Sequence, residues 1–470
     1  MSRYDSVEWL PQPGVSLQRG DGRIAVTGSG HVMTAAGMKL PDGLWLTDFT
    51  ICEAARLAGR RMHCMVHADG WLGAEWKRIA AELGVSAEHR DGEVRYLAEL
   101  SGRVIRLSML AVAATGCGNR RSFSRLSLAY GLADFMRPTL LWSRPKPTAL
   151  CEPSRWLLKF GIGNPVRTHG YAWFLTAYRP GYSYLAWLAE QPVPGGRVWR
   201  QLKLRQQTLS GRLAAQLKSS GRPVILVGDF SPHRLGGSLW SRSLTRSAGR
   251  GMMRKWFTLP EALRLAGLGL VVVDAAFVGP VWRHRSENTV FGNCAGELAR
   301  AGGGIRVVRN SWSARLAAEN LIRAVCDSGI RRSEPAPMES VWIAAHDRMQ
   351  AIPAVEAVEA EGGAVLAAIA GSVTFAANDA SAAVRMADAL WRRGMHLAPG
   401  CARRLRAAGV KPNADINEFG GTKSDRSIAV ASQLGLCGLV RRLDELTGTG
   451  VAGRSRKLKE LEAMLAGLPS

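Results

Sequence analysis

One carboxylate stands almost alone in the most basic part of this chain. Between Pro153 and Pro260 the sequence has 17 Lys and Arg against two acids, Glu190 and Asp229. Asp229 follows an apolar, strand-like run that begins at Pro223. A nuclease can use a carboxylate in such a position to hold the metal ion that activates water. Asp229 is therefore a candidate catalytic and metal-ligating residue, with a strand-end turn residue as the structural alternative.

The residues around this carboxylate suit contact with a polyanion. A net charge of +15 over residues 153–260 would repel itself unless a polyanion, most commonly nucleic acid, were its normal neighbour. A face that only meets solvent normally mixes both signs. The candidate nucleic-acid-binding residues, RNA or DNA, are Arg197, Arg200, Lys203, Arg205, Arg212, Lys218, Arg250, Arg254, Lys255 and Trp256.

The tryptophans in this basic stretch have two interpretations. Trp199, Trp240, Trp256 and Trp282 sit among arginines, where base stacking or a cation-π contact would use their ring faces. Burial in a core is the structural alternative for each ring.

The elements that would position these residues are predicted from periodicity. We expect a long basic helix that includes Arg200 and Lys218, then a buried strand over residues 224–227. An amphipathic helix over 260–266, a strand over 270–277 and a helix over 313–325 follow. The order is helix, strand, helix, strand, helix, with acids at the strand ends.

Four short stretches in this region resemble a known nuclease core. They are Ile-Leu-Val-Gly-Asp-Phe-Ser at 225–231, Arg-Lys-Trp-Phe at 254–257, Val-Val-Val-Asp-Ala-Ala-Phe at 271–277 and Leu-Ala-Ala-Glu-Asn-Leu at 316–321. In this order they resemble the RuvC, RNase H-like core of TnpB-type transposon nucleases and type V CRISPR effectors. The resemblance implies an RNase H-like core in the middle of the chain and RNA-guided DNA binding.

Most metal ligands of that family are replaced here. The family's catalytic Glu falls on Gly228, and the Asp of its last helix falls on Ala314. Residues 156–163 offer no counterpart of its first-strand Asp, and only Cys294 remains of its zinc-ribbon cysteines. Because such sites need two or three carboxylates, the resemblance implies a core that binds without cutting. Mg²⁺ is expected only if the metal site is intact.

The C-terminal part resembles a different phosphate-handling fold. Residues 373–390 and 411–419 are similar to the second half of a Toprim fold, in which aspartates after a strand hold magnesium. This resemblance makes Asp379 and Asp415 candidate catalytic and metal-binding residues, although Ala377 replaces one expected Asp. Helix or turn capping is the structural alternative for both.

The remaining candidates in the C-terminal part are less defined. The expected earlier strand, residues 341–347, lacks the Glu of the Toprim pattern, and His346 beside Asp347 is interpreted as a loop pair. Residues 413–417 could alternatively be a displaced last RuvC motif.

Composition predicts a folded protein of several domains. The chain of 470 residues is 47% hydrophobic, enough to fill ordinary cores. We expect an α+β N-terminal region at 1–150 that contributes to nucleic-acid recognition, a basic RNase H-like domain at 151–330 and an α/β domain at 331–470. The last of these carries 18 Lys and Arg against 15 acids, so the basic character belongs to the first two thirds. The fold class is thus a mixture of α/β and α+β.

The cysteines and the hydropathy pattern predict the compartment. The eight cysteines form no Cys-x-x-Cys pair, which favours reduced thiols over a zinc ribbon or a disulfide framework. No stretch of about 18 apolar residues occurs, and the first residues lack an apolar signal region. We expect a cytoplasmic protein with no membrane partner.

Three functions remain open at this point. The first is an RNA-guided nucleic-acid-binding protein with a degenerate nuclease core. The second is an active magnesium-dependent nuclease or primase-like enzyme that uses Asp229, Asp379 and Asp415. The third is a non-enzymatic RNA-packaging protein. The absence of paired carboxylates within one motif favours the first or the third.

Overall fold

The fold is known from a computed structural model of the chain. It describes residues 24–27, 32–34, 45–47, 65–67, 144–146, 148–159, 162–163, 170–179, 181–232, 253–283, 312–326 and 334–410.

The described elements are mixed helices and antiparallel strands. The strands are β1 (Ile24–Thr27), β2 (Val32–Thr34), β3 (Trp45–Thr47), β4 (Met65–His67), β5 (Ile162–Gly163), β6 (Trp173–Tyr178), β7 (Val193–Pro194), β8 (Arg200–Thr208), β9 (Val224–Pro232), β10 (Met253–Thr258), β11 (Gly269–Val278), β12 (Trp282–Arg283), β13 (Ala364–Ile369), β14 (Ser372–Ala377) and β15 (His396–Leu397). The α-helices are α1 (Cys151–Lys159), α2 (Gly181–Glu190), α3 (Gly211–Ser219), α4 (Leu259–Ala266), α5 (Trp312–Cys326), α6 (Met338–Ala360), α7 (Ala380–Trp391) and α8 (Pro399–Ala407).

The first large sheet has the antiparallel order β10-β9-β11-β8. Its two central strands are the apolar runs that the sequence predicts, and they are longer than expected. Ile225, Leu226, Val273 and Ala276 are completely buried, and helix α4 packs against both central strands. The polar strand β8 is left at the edge of the sheet.

The second large sheet has the order β15-β6-β14-β13-β5. Its strands come from two distant parts of the chain: β5 and β6 precede the first sheet, and β13 to β15 follow it. Thr374 of β14, for example, pairs with Thr176 of β6. Strands from both sides of the predicted boundary near residue 331 are therefore joined in one sheet. The four-stranded sheet is inserted between β6 and β13.

The predicted long basic helix is wrong. The basic helix expected from Arg200 to Lys218 is a strand, β8, followed by the short helix α3. Leu202 and Leu204 alternate with polar residues, which is the period of a strand, and Ser210 then caps α3 by accepting a hydrogen bond from the amide of Leu213.

Two segments that the resemblances place on strands are wholly or partly helical. In the stretch 156–163, which corresponds to the first strand of the RuvC pattern, residues 156–159 belong to helix α1 and only 162–163 form a strand, β5; residues 341–347 lie inside the long helix α6. His346 and Asp347 are consequently helical residues rather than a loop pair. The apolar residues there misled the interpretation, because a short apolar run suits a buried helix as well as a strand.

Other local predictions are confirmed. The helices expected over 260–266 and 313–325 are α4 and α5, and the strand expected over 270–277 is β11. Apolar and polar residues alternate within residues 1–50, which predicts short strands, and short strands occur there. Helical periodicity at 51–57 and 75–83 predicts two helices, and these segments lie outside the described residues. The described part of the chain is thus α+β in character. The RNase H-like assignment stays a prediction.

Candidate nucleic-acid interface

Strand β8 exposes a row of cations at the edge of the first sheet. Every residue of β8 is exposed except Leu204, which is half-buried against the core. Arg200, Lys203 and Arg205 all lie in this strand. One side of β8 pairs with β11, and no described strand pairs with its other side. Backbone groups and cations are therefore both open to a partner.

Helix α3 continues the basic character of β8. Leu213, Ala214 and Leu217 are its buried residues, while Arg212 and Lys218 are exposed. No Asp or Glu occurs between residues 191 and 228. We call β8 and α3 together the basic edge, with the cations Arg200, Lys203, Arg205, Arg212 and Lys218. Within the described residues, no ion pair engages any of these five cations.

The other predicted nucleic-acid-binding residues lie in different environments, and one of them lies outside the described residues. Arg197 is exposed just before β8, and Arg254 and Lys255 are placed on β10, where their Cα partners are Asp229 and Gly228. Arg250 lies outside the described residues. Trp256 is half-buried on β10 and meets the edge of Trp156 at 6.0 Å between ring centroids.

The remaining tryptophans of the basic stretch mainly build the core. Trp199 is 3% exposed and lies 5.8 Å from the ring of Trp342, which Trp282 also contacts at 5.8 Å. Trp240 lies outside the described residues. The core alternative therefore describes Trp199 and Trp282.

Asp229 lies in the interior of β9, so the strand-end interpretation is wrong. The strand runs three residues further, to Pro232, because residues 230–232 continue to pair with β11. Asp229 is half-buried, and its Cα partners are Arg254 on one side and Val272 on the other. An acid opposite a base across two strands is a favourable pairing.

Gly228, which the resemblance aligns with a catalytic Glu, lies where two backbones approach closely. A Cβ on Gly228 would overlap the carbonyl oxygen of Val272 and lie 2.8 Å from the Cα of Val273. The register of β11 shifts at this point, between Val273 and Ala275. Since a bulge brings the backbones together here, no side chain fits at position 228 without a local rearrangement.

The other predicted metal ligands are not joined to Asp229. Asp379 is the N-cap of α7, and its carboxylate accepts a hydrogen bond of 2.7 Å from the amide of Ala382. It follows β14 in the second sheet, whereas Asp229 belongs to the first. Asp415 lies outside the described residues. Among the residues that the structure describes, no cluster of three or more His, Cys, Asp or Glu could hold a metal ion.

Among the described residues, most of the buried charged side chains lie in α5 and α6. Arg348 donates to the carboxylate of Glu261 at 2.8 Å, and both side chains are at most 4% exposed. Glu261 also accepts from the amide and hydroxyl of Thr258, which completes a capping box for α4. Arg315 pairs with Glu319 at 2.9 Å. These cations hold helices and sheets together.

Asp347 fastens the turn between β13 and β14 to helix α6. Its carboxylate accepts from the amides of Ala370 (2.7 Å) and Gly371 (3.0 Å) and from the hydroxyl of Tyr184 (2.5 Å). Burial raises the pKa of Asp347 although these donors oppose the shift. Burial is the main reason why the pKa of Tyr184 is raised well above its ordinary value, and the nearby carboxylate of Asp347 raises it further. Both side chains are 5% exposed.

A cleft of about 190 Å³ opens beside this network. Its lining residues are Arg179, Ser183, Tyr184, Trp187 and Gln350. None of them was selected from the sequence. The spacing of Tyr184 and Trp187 on a predicted helix could have placed the two rings on one face, but their contact with α6 depends on a long-range approach.

Comparison with family models, with curated proteins and with solved structures gives no match. Among the residues that the structure describes, no helix combines the length and the apolar character of a membrane span.

Proposed function

We propose that this protein binds nucleic acid through the basic edge. The observation that carries the proposal is the row of exposed cations on β8, with no acid in the sequence between residues 191 and 228. Such a row repels itself and gains most from a partner whose charge is negative and regularly spaced. Phosphate backbones of RNA or DNA have this property.

The dimensions of β8 agree with such a partner. Arg200 and Arg205 are five residues apart, or about 17 Å at a rise of roughly 3.3 Å per residue. A duplex presents one charge per about 1.7 Å of its axis, hence roughly ten charges over this length. A strand of this length can therefore lie along several phosphates, and its contacts with them would be independent of base sequence.

Protection of the sheet edge is the structural alternative. Charged residues, lysine above all, discourage an edge strand from pairing with another chain. The two roles differ in the sign that they require. A glutamate row would protect the edge as well as a cationic row does, but it would repel phosphates.

The deciding experiment reverses Arg200, Lys203 and Arg205 to Glu together. We expect lower affinity for all RNA and DNA sequences alike, and a plot of log affinity against log salt whose slope is flatter by roughly two to three units. Fluorescence anisotropy of labelled strands at several salt concentrations measures both quantities. An unchanged slope would remove β8 from the interface.

A matched control separates the basic edge from net charge alone. Reversal of Arg264, Arg385 and Arg392 to Glu changes the net charge equally but affects exposed arginines on other elements. Because Arg264 and Arg385 pair with Glu356 and Glu361, circular dichroism first checks that this variant is folded. The proposal requires a much smaller effect from this control. Equal effects would indicate attraction by the total charge only.

The finer proposal is that the bound strand is a guide RNA and that the core no longer cuts. The overlap expected for any side chain at Gly228 supports a missing carboxylate at the position of the family's Glu. Purification without nuclease treatment, followed by sequencing of copurified nucleic acid and addition of Mg²⁺ or Mn²⁺, tests it. A discrete small RNA without cleavage is expected. Metal-dependent cutting would contradict it and favour the enzyme, whereas heterogeneous RNA would favour packaging.

A further inference from the structure

The cleft beside α2 combines a fixed aromatic wall with a cation. Arg179, Ser183, Tyr184 and Trp187 come from the end of β6 and from α2, and Gln350 comes from α6. Its volume of about 190 Å³ is suited to a single aromatic ring, since a cavity of roughly 150 Å³ can bind benzene. It is too small for most drug-sized molecules, whose pockets begin at about 300 Å³.

The aromatic wall is held rigidly. The hydroxyl of Tyr184 donates to Asp347, which is itself anchored by the two amides of the turn. The ring of Tyr184 lies so close to Gly371 that a Cβ there would come within 2.6 Å of it. Trp187 stacks on Tyr184 with centroids 5.6 Å apart and planes inclined by 16°. A ligand that stacks on Trp187 therefore meets a surface that is already ordered, which reduces the entropy lost on binding.

The cation of the cleft is also held in place. Arg179 is half-buried, and its Nη1 donates to the backbone carbonyl of Arg393 at 3.2 Å. Within the described residues, no carboxylate forms an ion pair with Arg179. Arg179 thus keeps donors for an anion.

We propose that this cleft holds the base of one unpaired nucleotide of the bound strand, stacked against Trp187, while the sugar and the phosphate of that nucleotide lie at its opening, with the phosphate at Arg179. Ser183 and Gln350 supply polar groups for the sugar or the base edge. This inference rests on the proposed function, because the basic edge supplies the phosphate contacts for the rest of the strand. It adds a preference for single-stranded nucleic acid, since a paired base cannot enter the cleft.

A phosphotyrosine peptide offers the same combination of ring and phosphate. The cations of β8 and α3 lie in a stretch without Asp or Glu. They favour a nucleic acid over a peptide, because a nucleic acid offers many phosphates to contact. The experiment must therefore include both ligands.

The main test compares a short DNA strand with an abasic strand of equal length, using the full chain and fluorescence anisotropy. We expect the wild-type protein to bind the base-bearing strand about 5- to 150-fold more tightly, the range that stacking of one base supplies. Trp187→Leu should abolish this preference and leave the affinity for the abasic strand unchanged. The control Trp391→Leu removes a ring that is 37% exposed and does not line the cleft, and it should keep the preference. A preference retained in Trp187→Leu would overturn the proposal.

A second variant guards against a folding defect in Trp187→Leu. Arg179→Gln should weaken both strands, flatten the salt slope by about 0.7 for one lost phosphate contact, and keep the preference for bases. Loss of the preference without any change of slope would contradict the placement of the phosphate.

Binding of small ligands separates this inference from the proposed function. Adenosine 5′-monophosphate, ribose 5-phosphate and phosphotyrosine are compared by ligand-observed NMR. We expect adenosine monophosphate to bind in the wild type and not in Trp187→Leu. Tighter binding of phosphotyrosine, or no binding of the nucleotide, would overturn the cleft assignment. If the nucleotide binds but long strands do not, the proposed function fails instead.

Discussion

The cations of helices α5 and α6 and those of the basic edge follow opposite rules. Arg315 and Arg348 are at most 4% exposed, and each has a carboxylate within 2.9 Å. Arg200, Lys203 and Arg205 are exposed and stand in a stretch without acids. The first group follows the requirement that a buried charge be paired. The second group consists of like charges along one strand, and within the described residues no carboxylate forms an ion pair with them.

This difference separates architecture from recognition. A buried ion pair loses its hydration on folding and repays that cost only through its partner, so its residues depend on one another. An exposed row of one sign contributes little to stability, and its interaction with an external polyanion is large. Substitutions of the buried, paired cations should therefore lower the free energy of unfolding, whereas substitutions of the exposed cations should lower the affinity for nucleic acid.

The largest effect is expected for Arg348→Met. The substitution leaves the carboxylate of Glu261 buried without its cation, which costs about 3–5 kcal/mol of unfolding free energy. Urea denaturation followed by circular dichroism measures the loss. The double variant Glu261→Gln/Arg348→Met should recover most of it, because Gln keeps the capping box with Thr258 and removes the buried charge. A double variant as unstable as the single one would contradict this explanation.

A smaller loss is expected for Gly228→Ala. The new Cβ would overlap the backbone at Val272 and Val273, and backbone cannot move aside as a side chain does. We expect a loss of roughly 1–3 kcal/mol, the range for overpacking. The control is Gly211→Ala in α3, where a Cβ meets no atom within 4 Å and Ala should stabilise by up to about 1 kcal/mol. Equal stability of both variants would show that β9 and β11 can separate locally.

The sequence predicted the two central strands of the first sheet, β9 and β11, but neither of its edge strands. The central strands could be found because most of their residues are buried, which makes each of them a nearly continuous apolar run. The edge strand β8 was mistaken for a helix, since Arg, Lys and Gln favour helices and the two leucines with strand spacing were the only contrary signal. The cations themselves were selected by charge, which does not depend on the element that carries them.

The second sheet and the cleft lay beyond sequence reasoning. Pairing of Thr176 with Thr374 joins strands about 200 residues apart, and no local pattern specifies such a partner. The same long-range approach brings Asp347 to Tyr184 and Gln350 to Trp187. His346 and Asp347 were noticed as a polar pair, but their environment depends on the helix that contains them.

The pH dependence of the unfolding free energy should reveal the lowered pKa of His346. Burial lowers the pKa of His346, whose Nε2 lies 3.2 Å from the carbonyl oxygen of Pro192. Below pH 6.5 the unfolded chain therefore binds a proton that the folded protein does not bind, and stability falls as the pH decreases from 6.5 towards the lower pKa. His346→Gln should show a smaller fall between pH 7.5 and 5.5 in urea denaturation. An identical fall would assign the effect to other groups, such as His396, whose pKa is also lowered by burial.

The smallest loss of unfolding free energy is expected for Asp229→Ala. Asp229 is a half-buried acid within the basic region, and its Cα partner across the sheet is Arg254. Loss of one cross-strand pair should cost about 0.2–1 kcal/mol, far less than the buried pair of Arg348. Nucleic-acid binding should stay intact, because the substitution removes a negative charge and no cation. Urea denaturation and strand binding by anisotropy give the two values. A loss of several kcal/mol would move Asp229 into the architectural group, and loss of a metal-dependent cleavage activity would instead make it a catalytic ligand and overturn the cleavage-defective interpretation.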